Sequence, residues 1–259
     1  MSRPAPPAKS VPPEVAAEAW PPPPPAVQTD FCIEGIDALD ESTCYILPDK
    51  PSAELLIYLH GTLPPTKVSP QKTGFQSVVK AASRRAGIAA LVPRGRAGLA
   101  PKSQRGWWGW PTSRASYQAL AHELVAEMQD RRRQLERLTG RTFQHVYLAG
   151  SSSGAYFVTA LALHQALPAD GYGIISGAAD RADVDLTTLP RTPVYIGFGT
   201  RDTVGDAARS LGARLERAGF PVKVAAHPLP HGTAEIYLDE AFAHFRSSLT
   251  PAGGDAMVP

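Results

Sequence analysis

The sequence lacks any long apolar segment. Apolar residues make up 43% of its 259 residues, yet no run approaches the roughly 18 residues that a membrane-spanning helix requires. The first ten residues also lack the apolar core of a signal peptide. The sequence as given therefore predicts a soluble chain without an export signal, cytoplasmic by default. A secreted or periplasmic location stays open if the chain begins inside a longer precursor.

An excess of charge of one sign is also missing. Lys and Arg together number 26 and Asp and Glu number 24, which gives a formal net charge of +2. This near balance gives no reason to expect nucleic acid or an anionic membrane as a partner. The densest basic run, Arg131-Arg132-Arg133, falls in a helical pattern and is interpreted as a solvated face.

Cysteine is scarce, with only Cys32 and Cys44 in the chain. Their spacing is not typical of a metal site, and we expect neither a metal nor an organic cofactor. A disulfide between two neighbouring early strands and a pair of reduced, half-buried thiols are both compatible with the sequence. The redox compartment therefore stays open.

Proline, by contrast, is abundant and concentrated near the N-terminus, where Pro21 to Pro25 are consecutive. Such a segment favours polyproline II and does not form a packed core. We expect residues 1–29 to be a disordered Pro-rich segment, 30–248 to form one domain and 249–259 to be a flexible tail. Trp20 is able to dock on the domain, although a disordered linker is the favoured interpretation.

From residue 30 onward, short apolar runs alternate with amphipathic helical patterns. Strands are expected at 31–33, 42–47, 54–60, 88–92, 145–149, 172–175, 194–198 and 222–226. Helices are expected around 75–82, 113–139, 155–163, 204–215 and 233–248. This alternation predicts an α/β fold with a mostly parallel central sheet and helices on both faces. Too few residues separate the strands at 172–175 and 194–198 for a lid domain, and functional groups are expected at the carboxyl ends of the strands.

The most informative segment is Gly150-Ser151-Ser152-Ser153-Gly154, which fits G-x-S-x-G with Ser152 at its centre. An apolar run precedes it and a helix-length apolar stretch follows. A strand that turns sharply into a helix around a serine exposes the hydroxyl as a nucleophile, and the flanking glycines allow the backbone to pack closely. A Ser/Gly-rich loop is the alternative, which the flanking strand and helix disfavour.

A carboxylate follows the strand at 194–198. Asp202 lies where it can orient an imidazole, and the alternative is that it only caps the next helix. Asp206 and Asp180 are weaker candidates for the same role. We predict Asp202 as the acid.

A histidine follows the last strand. His231 lies on a loop before glycine and a helix, and it is preferred to His227, which directly continues the strand. The order Ser152, Asp202, His231 is the Ser–acid–His order that this kind of elbow requires. The three residues are therefore predicted to form a catalytic triad.

An oxyanion formed at Ser152 needs backbone N–H donors. One is expected from Ser153, the residue after the nucleophile. The other is expected from Thr62 in the turn His60-Gly61-Thr62, where glycine allows the backbone to face the site. A plain strand-ending turn is the alternative for this segment.

Substrate contacts are expected from Gly61 and from the three tryptophans that follow the strand at 88–92, which are Trp107, Trp108 and Trp110. Their loop opens at the carboxyl edge of the sheet and can wall a pocket. Large flat side chains suit an aromatic, sugar-ring or acyl group, but they also fill cores, and at least one of the three is expected to do so.

With the elbow, Asp202, His231 and the His60–Thr62 turn in order, the chain from about residue 40 to 248 resembles the α/β-hydrolase superfamily. The turn, the tryptophan-rich loop and the missing lid look most like its serine esterase branch of polyhydroxybutyrate-depolymerase-like and feruloyl- or acetylxylan-esterase-like proteins. Ser151 and Ser153 depart from the larger residues that often flank the nucleophile.

The resemblance implies a serine esterase that acts on a small-molecule or polymer ester through an acyl-enzyme, without metal or cofactor. A peptidase or thioesterase with the same triad is one alternative. A non-catalytic relative that binds partners through its Pro-rich segment is another.

Overall fold

The computed structural model of the protein describes residues 19–22, 27–179 and 184–249. Most of the predicted disordered segment 1–29 and of the predicted tail 249–259 lies outside these residues, so the domain limits stay predictions. The described strands are β1 (Asp37–Asp40), β2 (Thr43–Ile46), β3 (Glu54–Leu59), β4 (Ala89–Pro93), β5 (Arg96–Ala97), β6 (Trp108–Gly109), β7 (His145–Ser151), β8 (Gly171–Ile175), β9 (Val194–Gly199) and β10 (Val222–His227). The described helices are α1 (Pro70–Ala86), α2 (Arg114–Thr139), α3 (Ser153–Leu163), α4 (Gly205–Arg217) and α5 (Glu235–Leu249).

Eight strands form one sheet in the order β1-β2-β4-β3-β7-β8-β9-β10. The pairs β1–β2 and β2–β4 are antiparallel, and every other pair in this sheet is parallel. The mostly parallel sheet predicted from the alternation is therefore confirmed. Strands β5 and β6 form a separate short antiparallel pair, which the sequence does not predict because each strand is only two residues long.

Two hydrophobic cores cover the two faces of the sheet. In β3, Leu55, Ile57 and Leu59 belong to the core that includes α2, α3 and α4. Leu56 and Tyr58 belong to the other core, which includes α1 and α5. Because both faces of this strand are buried, its sequence is a continuous apolar run rather than an alternating one.

The expected strand at 31–33 is wrong. This segment forms bends and turns, because its backbone groups pair with a side chain instead of a neighbouring strand. The amide of Gln76 on α1 donates to the carbonyl of Phe31 (2.8 Å), and its oxygen accepts from the N–H of Ile33 (2.9 Å). Cys32 and Cys44 form a disulfide with a Cα–Cα distance of 5.5 Å, which fixes the same segment to β2.

Trp20 docks on the domain instead of lying in a free linker. Its indole N–H donates to the carbonyl of Pro48 (2.7 Å), and the guanidinium of Arg141 lies 5.8 Å from the ring centroid. Pro48 follows β2 and Arg141 follows α2, so Trp20 contacts the edge of the sheet where the parallel strands begin. The site predicted at the carboxyl ends of the strands lies at the opposite edge.

Between β8 and β9 the described residues, 176–179 and 184–193, contain one short 3-10 turn at Leu186–Thr188 and no other helix. This agrees with the expected absence of a lid domain. Across the part of the chain that the structure describes, no helix is both long enough and apolar enough to cross a bilayer.

The turn from β7 into α3 depends on two glycines that admit backbone at contact distance. A Cβ on Gly154 would lie 2.1 Å from the carbonyl oxygen of Leu59 at the end of β3, and a Cβ on Gly150 would lie 2.8 Å from the same oxygen. Backbone on both sides leaves no flexible side chain that could give way. Glycine at these positions is therefore required by packing.

We predict that Gly154→Ala lowers the free energy of unfolding by at least about 2 kcal/mol, because the added methyl overlaps backbone that cannot move independently. Gly74→Ala is the matched control, since no heavy atom lies within 4 Å of a Cβ at that position. In the interior of α1 this control should raise stability by about 0.5–1 kcal/mol. Urea unfolding followed by circular dichroism measures both, and an equal effect of the two substitutions would contradict the packing argument.

Candidate active site

Ser152 occupies a strained position between β7 and α3. Its backbone angles are φ 51° and ψ −119°, a combination that a residue with a side chain rarely adopts and that costs on the order of 1–3 kcal/mol. Its N–H donates to the carbonyl of Ile175 (3.0 Å), which extends the pairing between β7 and β8. The half-buried side chain makes no capping hydrogen bond to α3, so the hydroxyl is left for other partners.

The two neighbouring serines have different environments. Ser151 is buried, and its hydroxyl accepts a hydrogen bond from the hydroxyl of Thr233 (2.9 Å). The hydroxyl of Ser153 is buried without a hydrogen-bond partner among the described residues. Of the three serines, Ser152 alone combines the elbow conformation with an unengaged hydroxyl on a cavity wall.

Asp202 and His231 are hydrogen-bonded to each other. The distance from His231 Nδ1 to Asp202 Oδ2 is 2.8 Å, with the carboxylate 2% exposed and the imidazole 49% exposed. The other oxygen of Asp202 accepts from the N–H of Val204 (3.3 Å), just before α4. The two interpretations of Asp202 are therefore compatible, since one oxygen secures the turn and the other faces the imidazole.

The competing acid and histidine lie elsewhere. Asp206 is exposed and pairs with Arg209 on the surface of α4 (3.0 Å). His227 lies 3.1 Å from the carboxylate of Glu240 on α5. Asp180 lies outside the described residues.

Ser152 and His231 line the same cavity. Within the described part of the chain, no hydrogen bond joins the Ser152 hydroxyl directly to the imidazole. Such bonds are often long in the absence of substrate. The three predicted residues thus lie at one edge of the sheet. The hydrogen bond between Asp202 and His231 is formed, and among the described residues Ser152 and His231 are not hydrogen-bonded to each other.

Two backbone amides near Ser152 have no acceptor among the described residues. Among the described residues, neither the N–H of Thr62 nor that of Ser153 donates a hydrogen bond. Gly61 lies directly beside Ser152, since a Cβ on Gly61 would be 3.2 Å from the Cβ of Ser152. These are the two donors that the sequence predicts for an oxyanion.

The buried side chain of His60 holds the turn that carries Thr62. Its Nε2 accepts from the N–H of Gly95 (2.9 Å), so Nδ1 carries the proton and donates to the carbonyl of Gly61. Burial lowers the pKa of His60 to about 4, and the bond to Gly61 opposes this only in part. The ring is therefore neutral near pH 7. The sequence predicts His60 only as part of the turn, because its second partner, Gly95, lies far along the chain.

The cavity beside Ser152 has a volume of about 600 Å³. Its walls come from the end of β3, the start of α1, the loop before β6, the elbow and the histidine loop. They are lined by Gly61, Thr62, Leu63, Pro70, Gln71, Gly74, Phe75, Pro101, Gln104, Trp107, Ser151, Ser152, His231, Gly232 and Thr233. Gly61 and Trp107 thus lie where the sequence predicts substrate contacts.

The expectation for the other two tryptophans is corrected. Trp110 is 1% exposed and stacks on Phe157 with 5.9 Å between ring centroids, so it belongs to the core. Trp108 lies behind the cavity wall, edge-on to Phe31 (6.1 Å) and beneath the guanidinium of Arg94 (4.7 Å). The core position of Trp110 agrees with the expectation that at least one of the three tryptophans fills the core, and the short pairing of β6 with β5 was not visible in the sequence.

No family model matches the sequence, and no curated protein matches it. Several solved structures do share its fold. A carboxylesterase from Bacillus cereus is 16% identical with a TM-score of 0.58, over 83% of this chain and 95% of that one. The protein YahD, determined with malic acid, is 15% identical with a TM-score of 0.58, over 79% of this chain and 98% of that one. SOBER1 from Arabidopsis thaliana is 19% identical with a TM-score of 0.56, over 76% and 99%.

These similarities and the sheet order confirm the predicted α/β-hydrolase fold. The neighbours include carboxylesterases and esterases, and none singles out the polyhydroxybutyrate-depolymerase or feruloyl-esterase branch. Among the described residues, no group of three or more His, Cys, Asp or Glu side chains is arranged to hold a metal ion.

We predict that His60 makes the protein less stable in mild acid. In the unfolded chain its pKa is about 6.5, and in the folded protein it is about 4. Below about pH 6.5 the unfolded state therefore binds a proton that the folded state does not. The stability contributed by the neutral ring is complete above about pH 6.5 and is lost as the pH falls toward 4, up to about 3 kcal/mol.

Urea unfolding at pH 7.5 and at pH 5.0 measures this effect. His60→Gln, which does not titrate, should lose about 2 kcal/mol less between these two pH values than the unsubstituted protein. The comparison uses the change with pH, so a lower absolute stability of the variant does not affect it. Parallel changes in the two proteins would show that His60 is not held neutral by the fold.

Proposed function

We propose that the protein is a serine hydrolase of carboxylic esters. The observation that carries this proposal is the unengaged hydroxyl of Ser152, strained at the elbow, which lines the same cavity as His231, the hydrogen-bonded partner of Asp202. The esterases with the same fold support the reaction class. The roles of the individual residues are part of the proposal.

In the proposed reaction, His231 Nε2 takes the proton of Ser152 as the hydroxyl oxygen attacks the ester carbonyl. The carbonyl oxygen becomes an oxyanion that accepts hydrogen bonds from the N–H groups of Thr62 and Ser153. Asp202 keeps the proton of the imidazole on Nδ1 and stabilises the imidazolium that forms. Collapse of the intermediate breaks the bond to the alcohol oxygen, which leaves with the proton from His231.

The acyl-enzyme on Ser152 is then hydrolysed. Water attacks the acyl carbonyl while His231 takes one of its protons, and the same two amides bind the second oxyanion. When this intermediate collapses, Ser152 recovers its proton and the carboxylic acid is released. None of these steps requires a group beyond the side chains and amides named.

The cavity favours an uncharged substrate. Among the described residues, no Asp, Glu, Lys or Arg side chain lines it, and its polar walls include the amides of Gln71 and Gln104. Leu63, Phe75 and Trp107 supply apolar surface for an acyl or aromatic group. Within this class, polyhydroxybutyrate-like and feruloyl-like esters remain the narrower proposal and rest on the sequence resemblance alone.

The same residues would also cleave thioesters or peptides, and a non-catalytic binding role would leave Ser152 unreactive. Comparing kcat/KM for ester, thioester and amide substrates of equal acyl length distinguishes an esterase from a thioesterase or a peptidase. Failure of Ser152 to react with a fluorophosphonate would favour the non-catalytic binding role.

We predict that Ser152→Ala lowers kcat/KM for short p-nitrophenyl esters by at least about 10⁴-fold, because no other hydroxyl occupies the attacking position. The folded state should be kept, as judged by circular dichroism. Fluorophosphonate labelling should be lost in this variant. It should persist in Ser153→Ala, which removes a buried hydroxyl and keeps the backbone N–H.

Retention of hydrolysis by folded Ser152→Ala would overturn the assignment. Labelling that disappears in Ser153→Ala but not in Ser152→Ala would move the nucleophile to the neighbouring serine.

We also predict that the charge of the acyl group controls the rate. p-Nitrophenyl butyrate should have a kcat/KM at least about tenfold above that of mono-p-nitrophenyl succinate, whose carboxylate finds no cation in the cavity. Introduction of a cation by Gln71→Arg should narrow the difference. Equal rates for the two esters in the unsubstituted protein would contradict a neutral acyl site.

A further inference from the structure

Ser176 directly follows β8 and holds the histidine loop. Its hydroxyl donates to the carbonyl of Gly232 (3.0 Å) and accepts from the N–H of the same residue (3.2 Å). Its φ of 48° lies in the left-handed region, which a residue with a side chain seldom adopts and which is kept only where the surroundings over-determine it. Gly232 is the residue immediately after His231.

A second set of hydrogen bonds joins the same loop to the nucleophile elbow. The hydroxyl of Thr233 donates to Ser151 (2.9 Å) and lies 2.7 Å from the hydroxyl of Tyr58 on β3. Burial raises the pKa of Tyr58 to about 12, so Tyr58 keeps its proton and donates to Thr233. Ser151 precedes the nucleophile and Thr233 follows His231 by two positions, so the two catalytic segments are linked without using the reacting atoms.

The other side of the loop is fixed by backbone. A Cβ on Gly199 at the end of β9 would lie 2.1 Å from the carbonyl oxygen of Leu229, so the chain before His231 packs directly on β9. The N–H of Thr200 donates to the carbonyl of His227 (2.7 Å). His231 thus lies between a stretch packed on β9 and a stretch held by three hydroxyls.

We propose that Ser176 and Thr233 are positioning residues for His231, acting through Gly232 and through the link to Ser151. The inference rests on the proposed ester hydrolysis at Ser152. Neither residue touches the reacting atoms in this role. The imidazole is half exposed, and among the described residues Asp202 is its one hydrogen-bonded side-chain partner. The two hydroxyls therefore fix how far it lies from Ser152.

Loss of the hydroxyl of Ser176 or of Thr233 should affect the chemical step more than substrate binding. A displacement of about 1 Å between two reacting groups lowers a rate by about 10²-fold. Removal of the Thr233 hydroxyl should therefore lower kcat for p-nitrophenyl butyrate by about 10- to 100-fold and change KM by less than about threefold. The rate of fluorophosphonate labelling should fall in parallel, since it also requires His231 to take the proton of Ser152.

The experiment uses the full chain with Thr233→Val, which keeps the shape of threonine and removes the hydroxyl, and Thr233→Ser, which keeps the hydroxyl. Ser176→Ala removes the hydroxyl that bonds to the backbone of Gly232. Thr188→Val is the matched control, because Thr188 is exposed and does not line the cavity. We measure kcat and KM at a temperature well below the unfolding midpoint of every variant, together with that midpoint.

The proposal expects a fall in kcat for Thr233→Val and Ser176→Ala, recovery to within about threefold in Thr233→Ser, and no change in Thr188→Val. It is overturned if Thr233→Val and Ser176→Ala keep the kcat of the unsubstituted protein, or if only KM changes. It is also overturned if Thr233→Ser is as slow as Thr233→Val, because the methyl group and not the hydroxyl would then matter. Failure of the unsubstituted protein to hydrolyse esters or to be labelled contradicts the proposed function itself, which keeps the two failures distinct.

Discussion

Contact between backbone and backbone at the end of β3 is the constraint on which the rest of the site depends. Gly150 and Gly154 allow the elbow to lie against Leu59 with no side chain between them. This contact fixes Ser152 relative to His60 and Gly61, the two residues that follow Leu59. The hydroxyl of Ser152, the proposed nucleophile, and one of the proposed oxyanion donors therefore have fixed relative positions before any substrate binds. Electrostatic stabilisation of a transition state requires such preorganisation.

His60 extends the same constraint into the orientation of one peptide group. In a trans peptide the C=O and the N–H point in opposite directions. The neutral ring binds the carbonyl of Gly61 and thereby turns the N–H of Thr62 the other way. Burial keeps the ring neutral, so its Nε2 can still accept from Gly95. His60, a polar residue in the core, thus holds the N–H of Thr62 in place at the cavity wall.

The sequence predicts the parts of this protein that have a local cause. The strand and helix alternation predicted the sheet, because both periodicities are properties of short segments. The strand predicted at 31–33 was wrong because the side chain of Gln76, which is distant in sequence, pairs with the backbone of this segment. Trp110 was assigned to the substrate because the local sequence does not show its stacking on Phe157, which lies far along the chain. The links from Ser176 and Thr233 to the histidine loop join residues from different strand ends and leave no local pattern.

The fold and the choice of substrate depend on different parts of the chain. Ser152, Asp202 and His231 lie at the ends of strands that belong to the shared fold. Structural similarity to esterases at 16–20% identity therefore bears on the arrangement of those strand ends. The cavity walls come instead from the start of α1 and from the loop before β6. Connecting segments vary more freely than the strands they join, because fewer buried contacts constrain them. The absence of charge from these walls is thus a property of this chain, and it bears on substrate choice in a way that the fold alone does not.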